Sequence, residues 1–423
     1  MKNINRAFAD SGIDLFAGAA LNTDLTILVL DDRDHGRELW VTTGDTAGTK
    51  LLRDVNPGSA GSEIDNFIIC GERAYFSAND GVNGPELWST DGTTVGTQMV
   101  ADMVSKPGVG GNPRLMSRFN DGLIFMADSD KSPSSLWFVD DTASPIPLKT
   151  FINDKEDSSA PPHIHSWSLM DGLLYFMVGK SPTLSELWKT NGTAKGTVLV
   201  KKLPLEAEYP EPQILGSLGH TLFLSVSTAK NGNELWQSNG KTSGTVFFKD
   251  LMPGTTSSFP HKFTVLGDKG FFLARSDVSN DYHDVWLTDG TPEGTVLLRD
   301  NSSGLRIPEP DCINLELLNQ NLLMTFDSGY YETIWTYYLR LPQLRDVSPI
   351  YDTQDDGSNL SIPEMASTDT LAFFTTKMAP HRPLHLLRVT DGTPSGTKVL
   401  AGINDNSTRY ITGLTTAGTD AYF

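Results

Sequence analysis

The sequence predicts an all-β protein, a single eight-bladed β-propeller built from four-stranded antiparallel blades. Two observations carry that prediction. One unit of about 50 residues recurs along the whole 423-residue chain. Each copy breaks into short apolar runs bounded by Gly, Pro, Asn or Asp, and no amphipathic helical stretch is present. The 38 glycines and 24 prolines suit a chain of many short strands and tight turns.

The recurring mark is a tryptophan that follows an apolar residue, at Trp40, Trp88, Trp137, Trp188, Trp236, Trp286 and Trp335; an eighth unit has Arg388 in that place. Successive marks lie 48 to 53 residues apart, the size of one four-stranded blade. The second unit shows its strands best, at Ile64–Cys70, Arg73–Ala78, Glu86–Thr90 and Thr97–Asp102, called a, b, c and d below. Between c and d stands Thr90-Asp91-Gly92-Thr93, followed by Gly96-Thr97. Related turns return at Thr190-Asn191-Gly192-Thr193, Ser238-Asn239-Gly240, Thr288-Asp289-Gly290-Thr291 and Thr390-Asp391-Gly392-Thr393. An Asp or Asn side chain bonds the backbone two residues on while Gly supplies positive φ, so this tetrad makes a compact turn. The Trp is expected to bury its ring between neighbouring blades, which contributes about 2 to 3 kcal/mol each.

With Glu86-Leu87-Trp88-Ser89-Thr90-Asp91-Gly92-Thr93 in the second unit and Asp54-Val55-Asn56-Pro57-Gly58-Ser59 after the first, the chain resembles the bacterial repeat family named for its Glu-Leu-Trp-x-x-Asp-Gly-Thr motif. The resemblance covers essentially the whole chain. It implies repeated β-structure in large, often surface-associated or secreted proteins, hence an extracellular or cell-surface location, and it brings no catalytic residue with it. The third unit departs from the motif with Asp140-Asp141-Thr142, and the seventh with Thr336-Tyr337-Tyr338 in place of the turn.

Counting back from each Trp finds an entry to strand a in most units, but the count from Trp40 reaches Leu15 without one. Thr408-Arg409-Tyr410-Ile411 and Asp420-Ala421-Tyr422-Phe423 supply a copy at the other end. The expectation is therefore a ring, residues 13–423, closed by pairing of the C-terminal strand with N-terminal strands near Leu25 to Leu30, with residues 1–12 as an extension. Closure of that kind removes the exposed sheet edge.

A net charge of −19 argues against general nucleic-acid binding, which needs a basic face for phosphates. Cys70 and Cys312 fall in distant repeats, so no disulfide is expected. The N-terminus lacks a basic segment followed by an apolar core, and no run approaches the roughly 18 apolar residues of a membrane span. Neither a classical signal peptide nor a span is read.

The residues left over by the repeat cluster at the entry to strand a. Around the ring that position reads Glu63, Arg114, His163, Glu211, His261, Glu309, Glu364 and Arg409, every one charged or histidine. A solvated rim accounts for this most simply; the sharper expectation is a collar at the channel mouth that holds a cation, water or a polar ligand. In Pro162-His163-Ile164-His165-Ser166-Trp167, two-residue alternation places His163, His165 and Trp167 on one face. The two histidines can share a metal, although no third ligand is assignable from sequence, and Trp167 can serve as a sugar platform or simply pack. The b to c loops add Asp31-Asp32-Arg33-Asp34-His35, Asn79-Asp80-Gly81 and Asp281-Tyr282-His283-Asp284. Asp352 to Asn359 has the oxygen richness of a Ca²⁺ loop without the twelve-residue hand pattern, so Ca²⁺ is possible while a solvated loop is the plainer reading. No other cofactor is expected.

Three functions follow. The first is a non-enzymatic binding module that recognises a surface glycan or a protein partner through the collar face. The second is a glycoside hydrolase or lyase with carboxylates such as Glu211, Glu309 and Glu364 at the channel. The third is a structural spacer in an adhesin or matrix protein.

Overall fold

The computed structural model describes residues 14–422 apart from loop segments, chiefly 153–161, 205–209, 299–310, 339–346, 353–364, 378–383 and 405–414. Its regular structure is β-strand with one 3₁₀ turn at Thr242–Gly244 and no α-helix among the described residues. The strands group four at a time in chain order, each group forming one antiparallel sheet whose neighbours are a, b, c and d. In the second sheet these are Asp65–Cys70, Arg73–Asn79, Pro85–Thr90 and Gln98–Ala101, within one or two residues of the boundaries read from sequence. The chain is thus an all-β propeller of four-stranded antiparallel blades.

The c to d turns around Asp91, Asn191, Asp289 and Asp391 follow one scheme. The Asp91 carboxylate accepts from the backbone N–H and the hydroxyl of Thr93, at 2.9 and 2.7 Å. The Thr97 hydroxyl donates to the Thr93 carbonyl at 2.7 Å and lies 2.7 Å from the Thr90 hydroxyl, which accepts from Gly92 N–H. Gly96 is required because a Cβ there would fall 2.0 Å from the Asp91 carboxylate. The same bonds recur around Asn191, Asp289 and Asp391. In the seventh unit strand c runs through Thr336-Tyr337-Tyr338 to its end at Tyr338, so the substituted residues extend the strand.

The core is a series of interfaces between successive sheets. Trp88 packs with Ile27, Val29, Leu39 and Val41 of the first sheet and with Phe76 of its own. Trp188, Trp236 and Trp286 do the same against the third, fourth and fifth sheets. Basic residues on strand d complete the joints: Arg53 donates to the Thr97 carbonyl at 2.5 Å with its guanidinium 5.6 Å from the Trp88 ring centre. Lys201 and Lys249 reach the equivalent Thr245 and Thr295 carbonyls. Cys70 and Cys312 are buried thiols, and the Cys70 thiol donates to the Gly122 carbonyl at 3.0 Å.

The motif glutamate has a role that the sequence did not disclose. Glu86 is fully buried, and its carboxylate accepts from the N–H groups of Met103, Val104 and Gly111, in the loop that leads from strand d to the next sheet. Glu38 holds Val55, Asn56 and Ser62 in the same way, and Glu234 holds Leu251 and Ser258. Burial pushes the Glu86 and Glu234 carboxyls up to about 7, against the opposing effect of these N–H donors.

The closure expected from sequence is corrected. Asp14–Ala20 forms strand a of the first sheet and pairs with Thr26–Asp31, Leu15 opposite Leu30. The site reserved for the C-terminal strand is therefore filled from the N-terminal side. Residues Thr415–Ala417 and Asp420–Tyr422 pair with each other as a separate hairpin. The two ends do meet: Thr415–Ala417 lies against Asp14–Ala20 on one side and against Met365–Ser367 on the other. They meet as side-by-side inner strands and not as hydrogen-bonded partners. The sequence count missed this because the first copy of strand a, Asp14-Leu15-Phe16-Ala17-Gly18-Ala19-Ala20, has the apolar Leu15 at the entry offset and no Pro before it.

Candidate functional site

The entry residues stand where strand a begins, and the a strands of neighbouring sheets lie side by side. In every sheet from the first to the seventh, strand a carries one extra residue relative to strand b. Such bulges bend a strand and re-aim its side chains. They fall at or just after the entry position, so they decide which way the rim residues face.

Among the predicted collar residues, Glu63, Arg114, His163, Glu211 and His261 lie in the described structure; Glu309, Glu364 and Arg409 lie outside the described residues, as does the stretch following Asp352. Glu63 is exposed with its carboxylate 3.5 Å from the Asn79 side-chain amide. Arg114 pairs with Asp128 at 3.3 Å. The Nδ1 of His261 lies 3.0 Å from the Phe259 carbonyl, and its ring meets His283 edge-on at 4.6 Å. The b to c loop acids are occupied locally: Asp32 accepts from the His35 backbone and ring, and Asp80 from Val82 and Asn83.

The fourth and fifth sheets bring three of the predicted residues into one cluster. His163 opens strand a of the fourth sheet, His163–Met170, opposite Gly179 of strand b. Register then slips between Ile164 and Ser166, leaving His165 as the unpaired bulge residue. Glu211 comes from the loop that enters the fifth sheet. Its Oε2 lies 3.0 Å from His163 Nε2 and 3.4 Å from His165 Nε2, and all three ligand atoms lie within 4.8 Å of one another. Burial holds the His165 ring below the usual histidine range, outweighing the opposing charge of Glu211. His165 Nε2 is buried without a hydrogen-bond partner, because its approach to Glu211 lacks the alignment of a hydrogen bond.

Trp167 does not share this face. The bulge at His165 shifts the alternation by one residue, so Trp167 turns with Ile164 toward the third sheet, against a core that includes Phe119, Ile124 and Phe176. The expectation that Trp167 shares a face with the two histidines is therefore corrected, and its ring packs, the plainer of the two readings offered by the sequence. Glu211 was read as a rim residue and not as their partner. The signal was available: His163 and Glu211 occupy the same position 48 residues apart, and equivalent positions in successive blades are neighbours.

No family model matches the sequence, and no curated protein matches it. Among solved structures the chain is similar to a prolyl endopeptidase, at 10% identity and TM-score 0.48 over 92% of this chain and 50% of that one. It is also similar to prolyl oligopeptidase B from Galerina marginata, at 12% identity and TM-score 0.46 over 90% of this chain and 55% of that one. The β-propeller domain of the Trilobed protease from Pyrococcus furiosus is matched at 10% identity and TM-score 0.41, over 82% and 99%. The chain spans about half the length of the two oligopeptidase-type structures. No residue role passes from these proteins to this chain. No helix among the described residues is long and apolar enough to cross a membrane.

Proposed function

We propose that the chain is a non-enzymatic interaction module that recognises a surface glycan or a protein partner through the face where the a strands begin, and that its eight four-stranded units are the blades of one closed ring. The observation that carries this reading is a division of labour. The repeated Glu, Asp, Thr and Trp residues are consumed in loop clamps, turns and sheet interfaces, while the entry positions differ from blade to blade and present charge and imidazole side by side. Variable loops on a rigid scaffold are the usual place for specificity. The resemblance to the Glu-Leu-Trp repeat family and the acidic composition agree with a module of a surface-associated protein. The chain is screened on a glycan array beside a variant carrying Glu63→Ala, Arg114→Ala and His261→Ala. Binding by the native chain that the variant loses supports the reading; binding that survives the triple substitution places recognition elsewhere on the molecule.

A further inference from the structure

We propose that His163, His165 and Glu211 form a binding site for a divalent transition metal, of which Zn²⁺ is the best match, with one coordination position open to solvent.

The geometry is the first support. Zinc is held by imidazole nitrogen and carboxylate oxygen at about 2.0 to 2.2 Å in a tetrahedron, which spaces its ligand atoms roughly 3.3 Å apart. The two Nε2 atoms stand 3.0 and 3.4 Å from one oxygen of Glu211, already at that spacing. All three ligand atoms lie within 4.8 Å of one another.

The second support is the unmet need of the cluster. His165 Nε2 is removed from solvent and has no hydrogen-bond partner, a costly state for a polar atom that a metal bond relieves. Among the described residues the two imidazoles are the only basic groups paired with Glu211.

The third support is the space made for the cluster. A Cβ on Gly179 would lie 2.5 Å from His163 Cε1 and 2.8 Å from Glu211 Oε1. Strand b opposes His163 with glycine, where it opposes Arg114 with Met126 and His261 with Leu273. The bulge that leaves His165 unpaired supplies the second ligand from the same strand. Two strands of the fourth sheet and the loop entering the fifth thus contribute to a single cluster.

Ligand chemistry selects the ion. Ca²⁺ and Mg²⁺ require six or more oxygen ligands, whereas two imidazoles and one carboxylate suit zinc and its neighbours. Three protein ligands leave a fourth position, which lies on the side of His163, the ligand that is 53% exposed. A water, or a carboxylate or imidazole from a bound partner, fits there.

Chelator-treated protein is titrated with ZnCl2, CaCl2 and MgCl2 by calorimetry, and with CoCl2 while the visible spectrum is recorded. The expected result is one Zn²⁺ per chain at about micromolar affinity or tighter, an intense tetrahedral Co²⁺ band, and no competition from Ca²⁺ or Mg²⁺. His163→Ala and Glu211→Gln, both at partly exposed side chains and checked for folding by circular dichroism, each weaken Zn²⁺ binding by at least about tenfold. Gly179→Ala weakens it as well. His220→Ala, which breaks an exposed pair with Asp171, leaves it unchanged. Absence of Zn²⁺ binding, or binding that survives both His163→Ala and Glu211→Gln, overturns the proposal.

Discussion

Glu86 accepts three backbone N–H groups at a place that water does not reach, and its counterparts in other units, Glu38 and Glu234, each accept two backbone N–H groups and a serine hydroxyl. Removing the carboxylate leaves several buried donors unpaired, each costing about 1 to 3 kcal/mol. Because the folded carboxyl keeps its proton to higher pH than the unfolded one, the stability linked to it is fully present below about pH 4.5 and is lost as pH rises through about 7. The turn aspartates act with the opposite sign. Hydrogen bonds from Thr93, Thr291 and Thr393 hold Asp91, Asp289 and Asp391 below the usual carboxylate range, so their contribution is lost only as pH falls through those lowered values. The melting temperature is therefore expected to fall between pH 5 and pH 8, and Glu86→Gln with Glu234→Gln to flatten that slope. Thermal melts across this range check it, and an unchanged slope in the double variant refutes the assignment. The Trp and the Asp-Gly turn were legible in the sequence because each works with partners at a fixed offset. The glutamate was visible only as part of a motif, since its partners lie 17 to 25 residues downstream in loops of varied sequence.

At the scale of strands, two regular irregularities shape the molecule. Strand a bulges near its start, and the c to d pairing slips beside the Trp, between Leu39 and Trp40, Leu87 and Trp88, and Leu187 and Trp188. Neither is visible in a two-residue alternation of apolar and polar positions, which is why that alternation put Trp167 on the face of His163 and His165. The joints between sheets combine a buried aromatic ring with a polar bond from the preceding strand d. Trp88 is 5% exposed, and Arg53 both covers its ring and bonds the Thr97 carbonyl. Trp88→Ala is expected to cost about 3 to 5 kcal/mol by opening a cavity between the first two sheets. Arg53→Ala is expected to cost about 1 to 2 kcal/mol, the sum of one hydrogen bond and one cation–π contact. Urea denaturation of the two variants measures both, and a larger loss from Arg53→Ala than from Trp88→Ala contradicts this division.

For the molecule as a whole, the decisive contact is where its ends meet. A linear stack of repeats has two outer faces and unfolds as a sum of neighbouring interfaces, whereas a ring gives every sheet two neighbours. The hairpin Thr415–Ala417 and Asp420–Tyr422 sits between the first sheet and the sheet that ends at Asn404, touching the inner strand of each. Among the described residues it is a two-stranded sheet, where the other sheets have four strands. Removing residues 405–423 takes away this wedge while leaving every four-stranded sheet whole. The flanks of the first and last four-stranded sheets then face water, and closure depends on whether they can close the gap directly. The bulges, loop clamps and tryptophan joints fix the angle between successive sheets, so direct closure requires repacking of all of them. The truncated chain is therefore expected to melt several degrees lower, to bind a hydrophobic dye, and to lose the single sharp transition of a closed ring. A truncated chain with an unchanged midpoint and no dye binding shows instead that the sheets close on one another without the hairpin.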